Sequence, residues 1–318
     1  MSDPAILVFG ETLIDFLPER PGSLEVVGTF TRRPGGAPAN VAVGLSTLEE
    51  TPLFWTRVGS DPFGKFLEET LTNHGLSERF IERDPEAKTT LAFVTHDEHA
   101  DREFSFYRDG TADTRMKPGT IDDDLLARIS WVHLGGVTLA SDPSRTATLD
   151  LARRAREQNC IVSFDPNARP ELWKNGAYEP LITEILPLID VLKATPEDLA
   201  AAGIEREDST ALARAVCDHG PHTTLLTFGG AGSLAVATES APWTGETSHP
   251  GYQVDSIDTT GAGDAFTAGA IAALSGGESI EEALSFANAV AATTTTAEGA
   301  MTALPDRKSV ERFRAAHE

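Results

Sequence analysis

Short unbroken apolar runs alternate along this chain with longer stretches of helical spacing. Ile6-Leu7-Val8-Phe9 closes on Gly10, and similar runs lie at 131–134, 161–164, 191–194 and 223–228. Runs this short and this apolar read as strands buried on both faces. Helical periodicity is predicted between them, over 40–48, 63–73, 144–158, 209–219, 263–273 and 280–293. Such alternation implies an α/β fold, a doubly wound and mostly parallel sheet flanked by helices. Two segments break the pattern, 16–33 and 89–108; both read as extended and polar-alternating, with turns at Pro21-Gly22 and across 96–101. Ligands in open sheets of this kind sit beyond the carboxyl ends of the strands, so Asp15, Asn167 and Thr227 are expected on one rim.

At 318 residues the chain exceeds the usual size of a single core, which favours one large α/β domain with an appendage over two unrelated domains. No repeat, low-complexity tract or long linker interrupts it. No run of about 18 apolar residues is present, and the start Met-Ser-Asp-Pro lacks the charge and apolar region of a secretory leader, so a soluble, cytoplasmic protein is expected. Cys160 and Cys217 are expected to be buried and reduced, which removes disulfide frameworks and thiolate metal sites from consideration. Charge changes the picture further. With 49 acids against 26 bases, of which six are lysine, the net charge is -23. So negative a surface excludes nucleic acid and anionic membranes as partners. Acid excess with scarce lysine also predicts a protein adapted to molar salt, where screening shortens to about 3 Å.

The chemistry concentrates in two glycine turns. Asp258-Thr259-Thr260-Gly261-Ala262-Gly263-Asp264-Ala265-Phe266 opens an alanine-rich helix. The first turn of a helix offers unpaired N–H groups and partial positive charge, so the amides of Gly261, Ala262 and Gly263 can surround a phosphoryl group, with Asp264 in reach of an attacking hydroxyl. Losing one such donor typically costs about 100 to 1000-fold in rate. Taken alone, Asp264 could equally be an acid that stabilises a helix start. The second turn, Pro34-Gly35-Gly36-Ala37-Pro38-Ala39-Asn40, lets backbone approach a ligand and adds an amide suited to vicinal hydroxyls, although alone it also reads as a loop-to-helix junction.

Rival motifs fail on single positions. Gly59-Ser60-Asp61-Pro62-Phe63-Gly64-Lys65 has Walker spacing, yet Phe66 stands where a hydroxyl must meet Mg²⁺. A dinucleotide fingerprint from Gly261 would place Phe266 at its third small residue. His96-Asp97-Glu98-His99 reads as a solvated hairpin tip rather than a metal cluster, and no Gly-x-Ser-x-Gly elbow occurs.

Together the two turns make the chain resemble the ribokinase-like (PfkB) carbohydrate kinases over nearly its full length. Gly10-Glu11-Thr12-Leu13-Ile14-Asp15 resembles the family's first strand exit, and Val58-Gly59-Ser60-Asp61-Pro62-Phe63-Gly64 its Val-Gly-x-Asp-x-Phe-Gly element. Asp165-Pro166-Asn167-Ala168-Arg169-Pro170 is similar to a stretch of fructokinases and 2-keto-3-deoxygluconate kinases. The resemblance implies one kinase domain over 1–318 with a small β-sheet lid, about 11–35 and 88–112, which covers the sugar and joins a homodimer. It implies in-line transfer of the γ-phosphoryl group of Mg-ATP to a primary hydroxyl, with Asp264 as general base needing no large pKa elevation.

The same resemblance assigns Asp15, Gly35, Gly36, Asn40, Tyr107 and Arg108 to the sugar, the last two from the Phe106-Tyr107-Arg108 element of the lid. Asn167, Arg169, Lys193, Thr227, Gly229, Gly232 and Asn288 are assigned to ATP. One departure concerns the metal: Thr195-Pro196-Glu197-Asp198 stands in place of Asn-x-x-Glu, leaving the shorter Asp198 as a water-mediated Mg²⁺ contact. Asp258 and Thr260 are candidates for a monovalent cation, K⁺. Fructose is the expected acceptor. The alternatives are 2-keto-3-deoxygluconate, or fructose phosphorylated at C1 as by ketohexokinases; outside the class stands a silent sugar or nucleotide sensor.

Overall fold

The computed structural model describes residues 5–96, 102–173 and 178–317. Asp97, Glu98 and His99 of the expected hairpin tip lie outside them. The first strands and helices follow the chain as β1 (Ile6–Phe9), β2 (Leu13–Pro18), β3 (Phe30–Gly35), α1 (Ala37–Thr47), β4 (Leu53–Gly59), α2 (Pro62–Asn73), β5 (Ile81–Asp84), β6 (Leu91–His96) and β7 (Arg102–Tyr107). Then come α3 (Asp123–Leu126), β8 (Trp131–Gly135), α4 (Ser144–Glu157), β9 (Ile161–Asp165), α5 (Tyr178–Ile185), β10 (Val191–Ala194), α6 (Pro196–Ala201) and α7 (Ser209–Cys217). The chain closes with β11 (Thr223–Thr227), β12 (Ser233–Ala237), β13 (Gly245–His249), α8 (Ala262–Ser275), α9 (Ile280–Thr295) and α10 (Arg307–His317).

Nine strands form one sheet in the order β13-β12-β11-β10-β9-β8-β1-β4-β5. Pairing is parallel from β11 to β5 and antiparallel at β11-β12 and β12-β13. The period of two along each strand divides the apolar side chains between two cores. Ile6 and Val8 join Phe54, Leu225 and the faces of α1, α2, α8 and α9, while Leu7 and Phe9 join Trp55, Phe164 and the faces of α4, α5 and α7. This is why β1 is apolar at every position.

The two irregular segments pair as a second sheet, β3-β2-β6-β7. In it β2 lies antiparallel to β3 and parallel to β6, and β6 pairs antiparallel with β7. Strands β4 and β5 and the β12-β13 hairpin were not legible in the apolar pattern. β5 is polar because it closes the sheet edge: Trp55 Nε1 donates to Glu82 at 2.8 Å, and Arg57 pairs with Asp84 at 3.1 Å. Cys160 is buried as expected, but Cys217 is partly exposed, at the last turn of α7. Among the described residues no helix is long and apolar enough to cross a membrane.

Candidate active site

Helices α1 and α8 carry the central pair of side chains. Their approach is set by small residues: a Cβ on Gly44 would stand 2.8 Å from that of Ala268, so the helices touch almost backbone to backbone. That contact brings Asn40 of α1 to Asp264 of α8, and Asn40 Nδ2 donates to Asp264 Oδ2 at 2.7 Å. α8 begins after Gly261, whose φ of 78° and whose Cβ position, 2.7 Å from Ala300 Cβ, admit no side chain. Burial lifts the Asp264 pKa to about 6, with the Asn40 bond, Lys193 and Arg169 pulling it down and Asp165 adding to the rise. The carboxylate is still the main form at neutral pH.

The amides before Asp264 divide. Ala262 N donates to the Thr259 carbonyl at 3.2 Å, which corrects the expectation of three open donors, while among the described residues Gly261 N and Gly263 N have no such partner. The loop is braced by Asp258, whose Oδ1 accepts from Thr260 N at 2.9 Å and Thr260 Oγ1 at 2.6 Å, and whose Oδ2 accepts from Gly299 N at 2.9 Å.

Asp264 and Asn40 border a cavity of about 260 Å³ roofed by the small sheet. Asp15 of β2 enters it, its pKa raised to about 7 by burial and by Asp264 against the opposing pull of Arg169. Gly35 leaves room for that carboxyl, since a Cβ there would lie 2.0 Å from Asp15 Oδ2. Gly36 lines the cavity with φ 102°, a left-handed conformation suited to glycine. Along β7 the register turns Phe104 and Phe106 inward, which corrects the assignment of Tyr107 and Arg108. Tyr107 is 59% exposed and packs edge-on against Phe93, whereas Arg108 is buried and pairs through Nε with Asp113 Oδ2 at 2.6 Å.

A second cavity of about 430 Å³ lies between the turn after β11 and helix α9. Thr227, Gly229, Gly232 and Asn288, four of the residues assigned to ATP, line it. Asn288 Nδ2 is committed to Ser233 Oγ at 2.6 Å and the Leu284 carbonyl at 2.7 Å, so it shapes the wall more than it offers a donor. Asn167 and Arg169 border the smaller cavity instead, Asn167 with a strained φ of 42°. Lys193, Thr259 and Gly263 belong to both cavities, so the two chambers meet there. Burial works against the Lys193 ammonium, but the carboxylates of Asp165, at 2.9 Å, and Asp198 outweigh it and raise its pKa.

Asp198 does not face either chamber. Its Oδ1 accepts from Ala168 N at 2.8 Å, and its Oδ2 from Thr195 N and Thr195 Oγ1 at 2.9 and 3.0 Å, forming a capping box at the start of α6. The expected metal role is corrected accordingly: the carboxylate ties Ala168, next to the strained Asn167, to α6. Among the described residues no cluster of three or more His, Cys, Asp or Glu could hold a metal ion.

Sequence reasoning missed Thr259 at the junction, Phe104 and Phe106 in the roof, Glu11 in the smaller cavity and the 251–254 stretch in the larger. The alternation along β7 could have found the phenylalanines. Residues 251–254 belong to a loop without periodicity and carried no signal.

The sequence profile of the pfkB family carbohydrate kinase matches residues 3–307. A fructokinase of Vibrio alginolyticus is 34% identical over 319 residues, covering 97% of this chain and 98% of the relative. The crystal structure of a fructokinase with bound ATP from Xylella fastidiosa superposes with a TM-score of 0.88 at 31% identity, covering 100% of this chain and 99% of that one. A Vibrio cholerae fructokinase with fructose, ADP and calcium ion bound gives a TM-score of 0.84 at 31% identity, covering 98% and 99%.

Proposed function

We propose that this chain, which belongs to the pfkB family of carbohydrate kinases, is an ATP-dependent fructokinase that phosphorylates a primary hydroxyl of the sugar. The observation carrying this reading is the meeting of two chambers at Lys193, Thr259 and Gly263, with Asp264 on one side of the junction. Relatives and solved structures of the same length are named fructokinases, one with ATP bound and one with fructose and ADP.

In this mechanism Mg-ATP is the donor substrate, with its base against the 227–232 turn and its terminal phosphate at the junction. The ketose lies under the small sheet, its hydroxyls met by Asp15 and Asn40. Asp264, oriented by Asn40, takes the proton as the hydroxyl oxygen attacks phosphorus. The Gly261 and Gly263 amides, Lys193 and Arg169 stabilise charge gathering on the transferred group. Asn167 stays with this donor end by resemblance. The proposal extends to a K⁺ ion near Asp258 and Thr260, to a cytoplasmic, salt-adapted protein, and to a homodimer through the small sheet, whose outer face carries exposed Tyr107.

One observation favours a second reading. Arg169 borders the acceptor chamber, where the carboxylate of 2-keto-3-deoxygluconate would find a cation. A sugar panel with Mg-ATP in high KCl, scored by ADP release and by NMR location of the phosphate, separates the readings. Fructose is expected to give the highest kcat/KM. Turnover of 2-keto-3-deoxygluconate with none of fructose overturns the first reading, and silence toward every sugar leaves a sensor.

A further inference from the structure

Glu11 follows β1 where the chain crosses to the small sheet, and its side chain forms part of the acceptor chamber's wall while only 2% exposed. Among the described residues its Oε2 has no hydrogen-bond partner. Native proteins rarely bury a polar atom in this state, and those that do commonly complete it with a ligand or a water. The cation that opposes its burial is Arg108. Its Nε pairs with Asp113 Oδ2 while its buried Nη2 has no hydrogen-bond partner, yet among the described residues no ion pair joins it to Glu11. An internal salt bridge therefore does not account for the acid.

Close-packed glycines hold Glu11 in place at the chamber wall. A side chain on Gly36 would strike the Glu11 carbonyl oxygen at 2.6 Å, and a Cβ on Gly135 would stand 3.6 Å from Oε2. Burial raises the carboxyl to about 8, so near neutral pH it can donate a hydrogen bond as well as accept one. A sugar hydroxyl, which does both, fits such a partner.

We infer, on the fructokinase reading above, that Glu11 is a specificity-determining residue whose carboxyl holds one further hydroxyl of the bound ketose, beyond those met by Asp15 and Asn40. The test uses the full chain with Glu11→Ala, Glu11→Asp and Glu11→Gln, each assayed with fructose, with ATP and with a set of monodeoxyfructoses. Glu11→Ala and Glu11→Asp are expected to raise the fructose KM by about tenfold or more, while kcat moves less than about threefold and the ATP KM stays put. Glu11→Gln, which keeps a donor and an acceptor, is expected to rescue the fructose KM to within about threefold of wild type. One deoxy analogue should bind wild type weakly and lose nothing more in Glu11→Ala.

A fructose KM that stays within about twofold in Glu11→Ala and Glu11→Asp overturns the inference. So does a parallel rise in both substrates' KM, the mark of a packing residue. Should Glu11→Ala not fold, the comparison of Glu11→Asp with Glu11→Gln decides alone. Wild-type turnover is scored separately: if fructose is not phosphorylated the functional reading fails, and the Glu11 ratios are then taken on whichever sugar is.

Discussion

Burial holds Asp264 at about 6, above the roughly 3.9 of an unfolded aspartate. The folded chain therefore binds that proton more tightly. The stabilisation this brings is full below about pH 4 and is lost as the pH rises through the folded value. At neutral pH the ionised acid costs stability and supplies chemistry. Two outcomes belong together here: kcat/KM should fall about tenfold per unit on the acid side of pH 6, and Asp264→Asn should lower kcat by about 100-fold or more with modest change in sugar KM. The same variant should melt no lower than wild type at pH 8, because it removes a buried charge and keeps an acceptor for Asn40. Kinetics across pH with a thermal scan check all three, and activity within about tenfold would take the base role from Asp264.

Between elements, the decisive geometry is the close crossing of α1 and α8, which turns two residues 224 positions apart into a hydrogen-bonded pair. Gly44→Val puts a branched side chain where a Cβ already stands 2.8 Å from Ala268. We expect a loss of about 1–3 kcal/mol in stability and a fall in kcat larger than any change in ATP KM, measured by chemical denaturation and initial rates. Both helix starts were legible in the chain, because glycine turns ahead of apolar spacing leave a strong local signal. The facing of β7 was not. Phe106-Tyr107-Arg108 named the right strand, but only pairing with β6 decides that Phe104 and Phe106 turn inward. Asp198 misled for a related reason, since whether a carboxylate meets a metal or a backbone amide depends on residue 168, which lies 30 positions away.

For the whole molecule, apolar alternation announced the parallel sheet, and the breaks in it announced the small sheet. The chambers themselves were less legible, because their walls combine loops from distant parts of the chain. Net charge acts at this scale too. A surface at -23 repels itself until counterions screen it. The melting temperature is expected to rise between 0.1 M and about 2 M KCl, where screening falls to a few ångströms, and scanning calorimetry across that range checks it; no gain would refute salt adaptation.

Three acids of the smaller chamber, Glu11, Asp15 and Asp264, are lifted to about 8, about 7 and about 6, and a fourth, Asp165, is raised by burial as well. A compartment that titrates in steps through neutrality behaves as a small buffer, and anything that enters it shifts how many protons it keeps. Occupancy and acidity are therefore expected to be linked in this protein, and the proton uptake or release that accompanies sugar binding, read by calorimetry in buffers of different ionisation enthalpy, checks it.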